Sequence, residues 1–381
     1  MQASKINWRG IVALNAVSTL AQLGQFGVGF IVLPIWLAAR SMGAIELGLF
    51  GATGWVGMLI GLLIAPKLIA QFGSKKVVFA SLLLSSAGFV IIPFFNWPIW
   101  LASAALIGFG MGLRWIANET WLYRIVPKNI LGQVVGVHEA LIALSVIIPP
   151  ALVVVFSTAD NKIIWLGILF NFLAIAPLML IASEQVQMER ASKSRFFHVD
   201  KITKLGMIIA GVAGVIDGAL EALFPLFGLG RGFAEAQVAL LITVMGVGGL
   251  LLQYPLGWLS DKKGVIRASL LAAAICCVVT SIMAFVPMGF NVLAGLGFVF
   301  GGVTAAFLTF GIIAAASTHD HDHMAENMSK ISIAFTVCSI AGSLLAGFAA
   351  ASLGSDALLW LVALVSGVLV VVFARQHKFV I

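Results

Sequence analysis

Charge is scarce in this chain of 381 residues: ten per cent are Asp, Glu, Lys or Arg, against roughly a quarter in soluble domains. With 61% hydrophobic residues beside it, that scarcity excludes an ordinary water-soluble fold. Cysteine is nearly absent too. Cys276, Cys277 and Cys338 all fall within apolar runs, where they read as packing residues and not as a disulfide framework or metal site. The chain has no Gly-x-x-x-x-Gly-Lys-Ser/Thr loop, so a nucleotide-driven pump is not expected. The polar residues form no nucleophile and base constellation, which argues against an enzyme. No cofactor is expected. The formal charge of +7 is spread over loops and not gathered into a basic domain, so nucleic acid is not an expected partner.

Long apolar runs are what the chain has in abundance. Twelve of about 18 or more residues occur, at 10–37, 45–65, 77–95, 98–123, 132–156, 163–182, 205–227, 236–257, 266–286, 291–316, 331–353 and 357–374. About 20 apolar residues cross a bilayer as a helix, whereas barrel strands alternate over about ten. The expected class is therefore an all-α integral membrane protein in contact with lipid. The first run has no cleavage pattern after it and is expected to be retained.

Basic residues give an orientation. With both termini cytoplasmic, 18 of the 22 Lys and Arg fall on the inner side, Arg40, Lys162 and Arg231 on the outer side, and Arg114 inside a helix. A cytoplasmic membrane, bacterial and inner, is the expected location. Trp8 and Trp258 mark inner ends, and Trp36, Trp97, Trp100, Trp165 and Trp360 outer ends.

The chain also repeats itself. Pro34, Arg40, Gly57, Gly73 and Lys76 recur 191 positions later as Pro225, Arg231, Gly248, Gly264 and Arg267. Six spans fall in each half, so the expected organisation is a bundle at 1–182, a polar linker at 183–204 and a second bundle at 205–381.

Between spans 8 and 9 stands Gly257-Trp258-Leu259-Ser260-Asp261-Lys262-Lys263-Gly264-Val265-Ile266-Arg267. This loop resembles the signature of the major facilitator superfamily, and it recurs at half-length as Pro66 to Lys76, where Ala70 replaces the acid. The resemblance implies two six-helix bundles related by a pseudo-two-fold axis, working as a monomer. It also implies a cavity lined by helices 1, 4, 7 and 10, and alternating access by rocking. Gly257, Asp261, Gly264, Arg267 and Gly73 then become gate candidates, as a latch or as a turn that only sets topology. A second stretch, Asn118-Glu119-Thr120-Trp121-Leu122, is similar to one ending helix 4 in a bacterial subgroup of permeases. Span 5 reads Ile147-Ile148-Pro149-Pro150 and departs from the glycine-rich motif of the superfamily's drug exporters.

Ionisable groups within spans cost roughly 2.5 to 3.5 kcal/mol on insertion scales, so each needs a partner, a wet cavity or a role. Asp217 lies twelve residues into span 7, about 18 Å along a helix, with Glu221 one turn on and on the same face. Such a pair can carry a proton, or can be held by hydrogen bonds as packing. Glu119 and Glu139 are further proton candidates. Arg114 can pair with Glu139 at similar depth, or bind an anionic substrate group with its planar fork. Gln22 and Gln25 lie on a polar stripe of span 1 with Asn15 and Ser18 and are candidates for binding solute or for helix contacts. Asn118 and His138 join Arg114 as substrate candidates. Between spans 10 and 11, His319, His321 and His323 alternate with acids, as a metal site or as a solvated loop.

The expected function is secondary active transport of a small organic solute, coupled to protons. The alternatives are a metal or metal-chelate carrier, and a receptor of the same fold that binds without flux. If Asp261 latches an inner gate, Asp261→Asn lowers solute flux in proteoliposomes more than any substitution of Ala70; equal and negligible effects would leave the loop a topological turn.

Overall fold

A computed structural model of the protein describes residues 6–127, 129–182, 201–316 and 324–377. Among them twelve helices are long and apolar enough to cross a membrane, and no strand occurs. The chain is an integral, multi-pass membrane protein. The helices are α1 Trp8–Ala39, α2 Ala44–Phe72, α3 Ser74–Phe94, α4 Trp100–Ile125, α5 Leu131–Phe156 and α6 Lys162–Met179. The second six are α7 Lys201–Gly230, α8 Glu235–Lys263, α9 Val265–Phe285, α10 Phe290–Ala316, α11 Met324–Leu353 and α12 Ala357–His377. Every expected span is present, because a chain crossing lipid must satisfy its backbone groups internally and a helix does so within one segment. Helices α2 and α8 run beyond their apolar stretches to Phe72 and Lys263, since hydropathy marks the lipid boundary and not the helix end.

Two helices are irregular. In α1, Asn7 caps the start by accepting from the Gly10 N–H at 3.0 Å, and the helix then widens to π geometry over Leu23–Val32. The Leu33 N–H bonds the Val28 carbonyl, five residues back. In α5, α-helix over Leu131–Ala143 tightens to a 3₁₀ turn at Leu144–Val146 and restarts at Ile148–Phe156. Pro149 and Pro150 cause that restart, because they lack N–H donors and suit the first turn of a helix but not its interior. The irregular stretches meet at Gly27, where a Cβ would strike the Pro149 ring and the Ser145 carbonyl.

The repeat survives as geometry. Gly73 and Gly264 hold φ of 83° and 85° with ψ of 153° and 150°, at the same point of the two equivalent loops. A side chain there is strained, which explains glycine at both. Arg40 lies 3.7 Å from the Trp36 ring centroid, and Arg231 lies 5.2 Å from that of Phe227, its repeat counterpart. Arg231 has an added role: it pairs with Asp356 at 3.0 Å and donates to the Met283 and Ala284 carbonyls at the end of α9. Those carbonyls have lost helical partners.

By contact the chain divides into two units. One takes the chain up to Leu33 and from Val56 through α6; the other takes Pro34–Trp55 and everything from α7 onward. In the first unit, Gly57 and Gly61 of α2 admit the backbone of α4 at Ala105 and Phe109, and Gly112 admits Met58 in return. In the second, Gly214 and Gly218 of α7 lie against the backbone of α11 at Phe335 and Ser339, and the Ser343 hydroxyl donates to the Gly218 carbonyl at 2.9 Å. The N-terminal part of α2 joins this packing through Gly48 and Gly51, which face Ser343 and Gly347. Small residues and hydroxyls take this role because apolar burial gives little drive between helices already in lipid.

Gly218→Leu is therefore expected to destabilise the protein by at least the 1 to 3 kcal/mol typical of overpacking. Gly257→Ala, with nothing within 4 Å of the added carbon, should leave unfolding in detergent unchanged. Equal unfolding temperatures for the two variants would contradict the α7–α11 packing.

Candidate functional site

The first unit is built around a buried cation. Arg114, 2% exposed, projects from the middle of α4 onto the polar stripe of α1. Its Nε donates to Gln25 Oε1 at 2.7 Å, its Nη1 to the Ser18 hydroxyl at 3.0 Å, and its Nη2 to Gln22 Oε1. Gln25 is held from its other end by Nε2 donating to the Ser85 hydroxyl of α3 at 2.9 Å. The ion pair with Glu139 considered from depth alone is not formed. Glu139 is exposed while its neighbour His138 is 1% exposed, since adjacent helical residues point about 100° apart. The oxygens of Gln22 and Gln25 are thus engaged with Arg114.

One turn along α4, the Asn118 amide nitrogen donates to the Leu14 carbonyl at 3.3 Å. His138 of α5 meets the next residue of α1 through its Nδ1 at 2.9 Å from Asn15 Oδ1, and the Tyr123 ring stands edge-on to it at 6.3 Å. Asn118 Oδ1 and His138 Nε2 have no hydrogen-bond partner among the described residues. Glu119 is half-buried and lies near the Trp115 side chain, close enough to Glu139 and Arg114 to feel both charges.

The second unit carries two acids on α7, at positions where the first unit has no charge. Asp217 and Glu221 are half-buried on α7 and interact with each other electrostatically. The Trp55 side chain, carried on the segment of α2 that belongs to this unit, lies near Glu221 and packs edge-on against Phe335 at 5.6 Å. Glu221 Oε2 has no hydrogen-bond partner among the described residues. At the repeat-equivalent positions of α1, Phe26 and Phe30 stack at 5.7 Å. Trp55 went unnoticed in sequence because tryptophan in a span reads first as packing.

The loop candidates lie apart from both sites. Gly73 and Gly264 make the turns described above, Asp261 and Arg267 are exposed, and Lys262 stacks over Trp258 at 4.1 Å. Asp261 makes no ion pair among the described residues. In the first repeat the loop is secured differently, by Lys75 donating to the Ile181 carbonyl beyond α6. His319, His321 and His323 lie outside the described residues, and no group of three His, Cys, Asp or Glu that could hold a metal occurs among those described.

Twelve helices with an internal repeat and isolated polar clusters at membrane depth define a transporter fold. The profile of the Major Facilitator Superfamily matches residues 14–233 and again 206–378, and the chain belongs to that family of transporters. Among similar proteins are the "Uncharacterized MFS-type transporter YcaD" of Salmonella newport (strain SL254) and its counterpart in Salmonella typhi. Each is 23% identical over 356 residues, covering 91% of this chain and 90% of the relative. Among solved structures, a single-residue mutant of the nucleoside transporter NupG superposes with a TM-score of 0.83 at 12% identity, covering 96% of this chain and 99% of that one. A second structure of NupG gives 0.78 at 11%, covering 97% and 99%. These structural likenesses establish the fold.

Gln25→Leu should destabilise the protein by about 1 to 3 kcal/mol, because it strands the Arg114 Nε–H in a buried site. Ser85→Ala removes two neutral bonds, one from Gln25 Nε2 and one to the Ile107 carbonyl, and should cost less than Gln25→Leu because the donor it strands is uncharged. Chemical unfolding in micelles measures both, and an order of effects reversed from this would mean that Gln25 does not hold Arg114.

Proposed function

We propose that the protein is a secondary active transporter of a small organic solute, driven by protons and working by alternating access as a monomer. The observation that carries this reading is the separation of chemistry between the repeats. A cation held by neutral oxygens stands in the first unit, and a pair of carboxylates with one unpartnered oxygen in the second. Asp217 and Glu221 are the proton carriers in this reading, with Glu119 and Glu139 as further stations, and Arg114 with its neighbours takes the solute. The moving bodies are the two repeat bundles, 1–182 and 205–381, joined by the linker at 183–204. The excess of basic residues in alternate loops supports both termini being cytoplasmic, and a bacterial inner membrane is the location in this reading.

A neutral acid is far cheaper than an ionised one in a low-dielectric site, so a carboxylate pair at membrane depth is suited to pick up and release a proton. The metal-carrier alternative rests on the histidine loop alone. The receptor alternative is separated by flux. NupG is named a nucleoside transporter, and a nucleoside therefore belongs among the solutes tried.

In proteoliposomes with an imposed pH gradient and a pH-sensitive dye inside, a transported solute should move protons with it. Asp217→Asn should cut gradient-driven accumulation by at least about tenfold, equivalent to about 1.4 kcal/mol, while leaving solute binding in place. Full accumulation by this variant would remove Asp217 from the proton path.

A further inference from the structure

The hydrogen-bonding capacity left over around Arg114 restricts what that site can hold, granted the reading of it as the solute site. A guanidinium has five N–H groups. Gln25 takes the one on Nε, Ser18 one on Nη1 and Gln22 one on Nη2. One N–H remains on each Nη nitrogen. A carboxylate offers two oxygens that can accept from two such charged donors. The groups already bonded to Arg114 are all neutral, so its charge is solvated but not cancelled.

The neighbouring groups lack donors. The Asn15 amide nitrogen bonds the Ile11 carbonyl at 2.8 Å, which leaves Asn15 Oδ1 as the acceptor facing His138. The His138 proton therefore sits on Nδ1, and Nε2 presents a lone pair without a partner among the described residues. Asn118 is fixed in the same way. With its nitrogen on the Leu14 carbonyl, turning the amide over would set oxygen against oxygen, so Oδ1 is the free atom. Both side chains are buried, at 0% and 1% exposure, where an acceptor without a donor costs about 1 to 3 kcal/mol. The same turn of α1, Leu14 and Asn15, holds the two of them. Asn118 follows Arg114 by four residues, about 6 Å along the helix.

Charge decides what kind of donor fits. Glu119 lies in the field of Arg114, and Glu139 in that of Glu119, so a bare anion on Arg114 would meet a neighbouring acid. A solute with a cationic amine beside its carboxylate adds no net charge. We propose that the transported solute is an amino carboxylate. Its carboxylate lies on the two remaining Arg114 Nη protons, and its ammonium donates to Asn118 Oδ1 and His138 Nε2. Ser18, Gln22 and Gln25 are then positioning residues that aim the guanidinium.

The test is calorimetric titration of the purified full-length protein with the common amino acids and γ-aminobutyrate. Each is paired with its hydroxy-acid analogue and with the amine that lacks the carboxylate, and uridine serves as the nucleoside probe. At least one amino carboxylate should bind, with both of its analogues weaker by about tenfold or more, equivalent to about 1.4 kcal/mol each. Arg114→Lys should weaken the amino carboxylate, and Asn118→Leu should narrow its advantage over the hydroxy acid. If these variants fail to fold, the analogue series on the unaltered protein still decides. Binding by no amino carboxylate, equal binding of the hydroxy acid, or preference for uridine would overturn the assignment. A nucleoside that both binds and moves would sink the solute class but leave proton-driven transport standing. An amino carboxylate that binds without flux in proteoliposomes would do the reverse.

Discussion

A guanidinium inside a helical bundle at membrane depth has no bulk water to turn to, and each of its N–H groups must find an oxygen in the protein or its ligand. Arg114 is that group here. Its bonds to Ser18, Gln22 and Gln25, together with the link from Gln25 to Ser85, lock α1, α3 and α4 in one rotational register. Side-chain packing between lipid-embedded helices leaves such rotations weakly determined. One cation with several directional bonds determines them strongly.

The shape of α1 is bound up with that requirement. Gln25 sits within the π-helical stretch, and the glycines at 24, 27 and 29 let α4, α5 and α6 close around the widened backbone. The repeat makes the contrast legible. The positions of α7 equivalent to Ser18, Gln22 and Gln25 are Ile209, Ala213 and Ile216, and Ala305 stands where Arg114 would be. Without a guanidinium to satisfy, α7 is a regular helix throughout, and the polar groups it does carry are Asp217 and Glu221. Homologous halves thus share turns, glycine crossings and the arginines that end their first helices, and diverge where charge enters the bundle.

What could be read in sequence follows the same physics. The twelve spans were visible because lipid imposes one length and one composition on every crossing, and the loop glycines were visible because a positive φ has one inexpensive residue. The polar stripe of α1 was visible as a period, but a period names a face and not the helix it meets. Depth put Arg114 level with Glu139, yet the direction in which each side chain leaves its helix makes His138 the inward residue. The π-helical segment has no sequence code beyond its glycines. The break in α5 was announced by Pro149 and Pro150, whose meaning was local backbone chemistry more than a departure from a family motif.

The use of neutral oxygens around Arg114 has a consequence for a carrier. A carboxylate partner inside the same unit would offset the burial of the cation permanently, and any anionic group arriving from outside would have to displace it, losing much of what it gained. Glutamine and serine oxygens stabilise the guanidinium without neutralising it, so in the proposed cycle its field remains for a ligand to meet. In the proposed cycle the carboxylates of Asp217 and Glu221 stand on a helix of the other repeat, so neither is tied up as the partner of Arg114. A site that must bind and release in every cycle needs interactions of that intermediate strength, and a buried ion pair within one bundle would be too stable to take part.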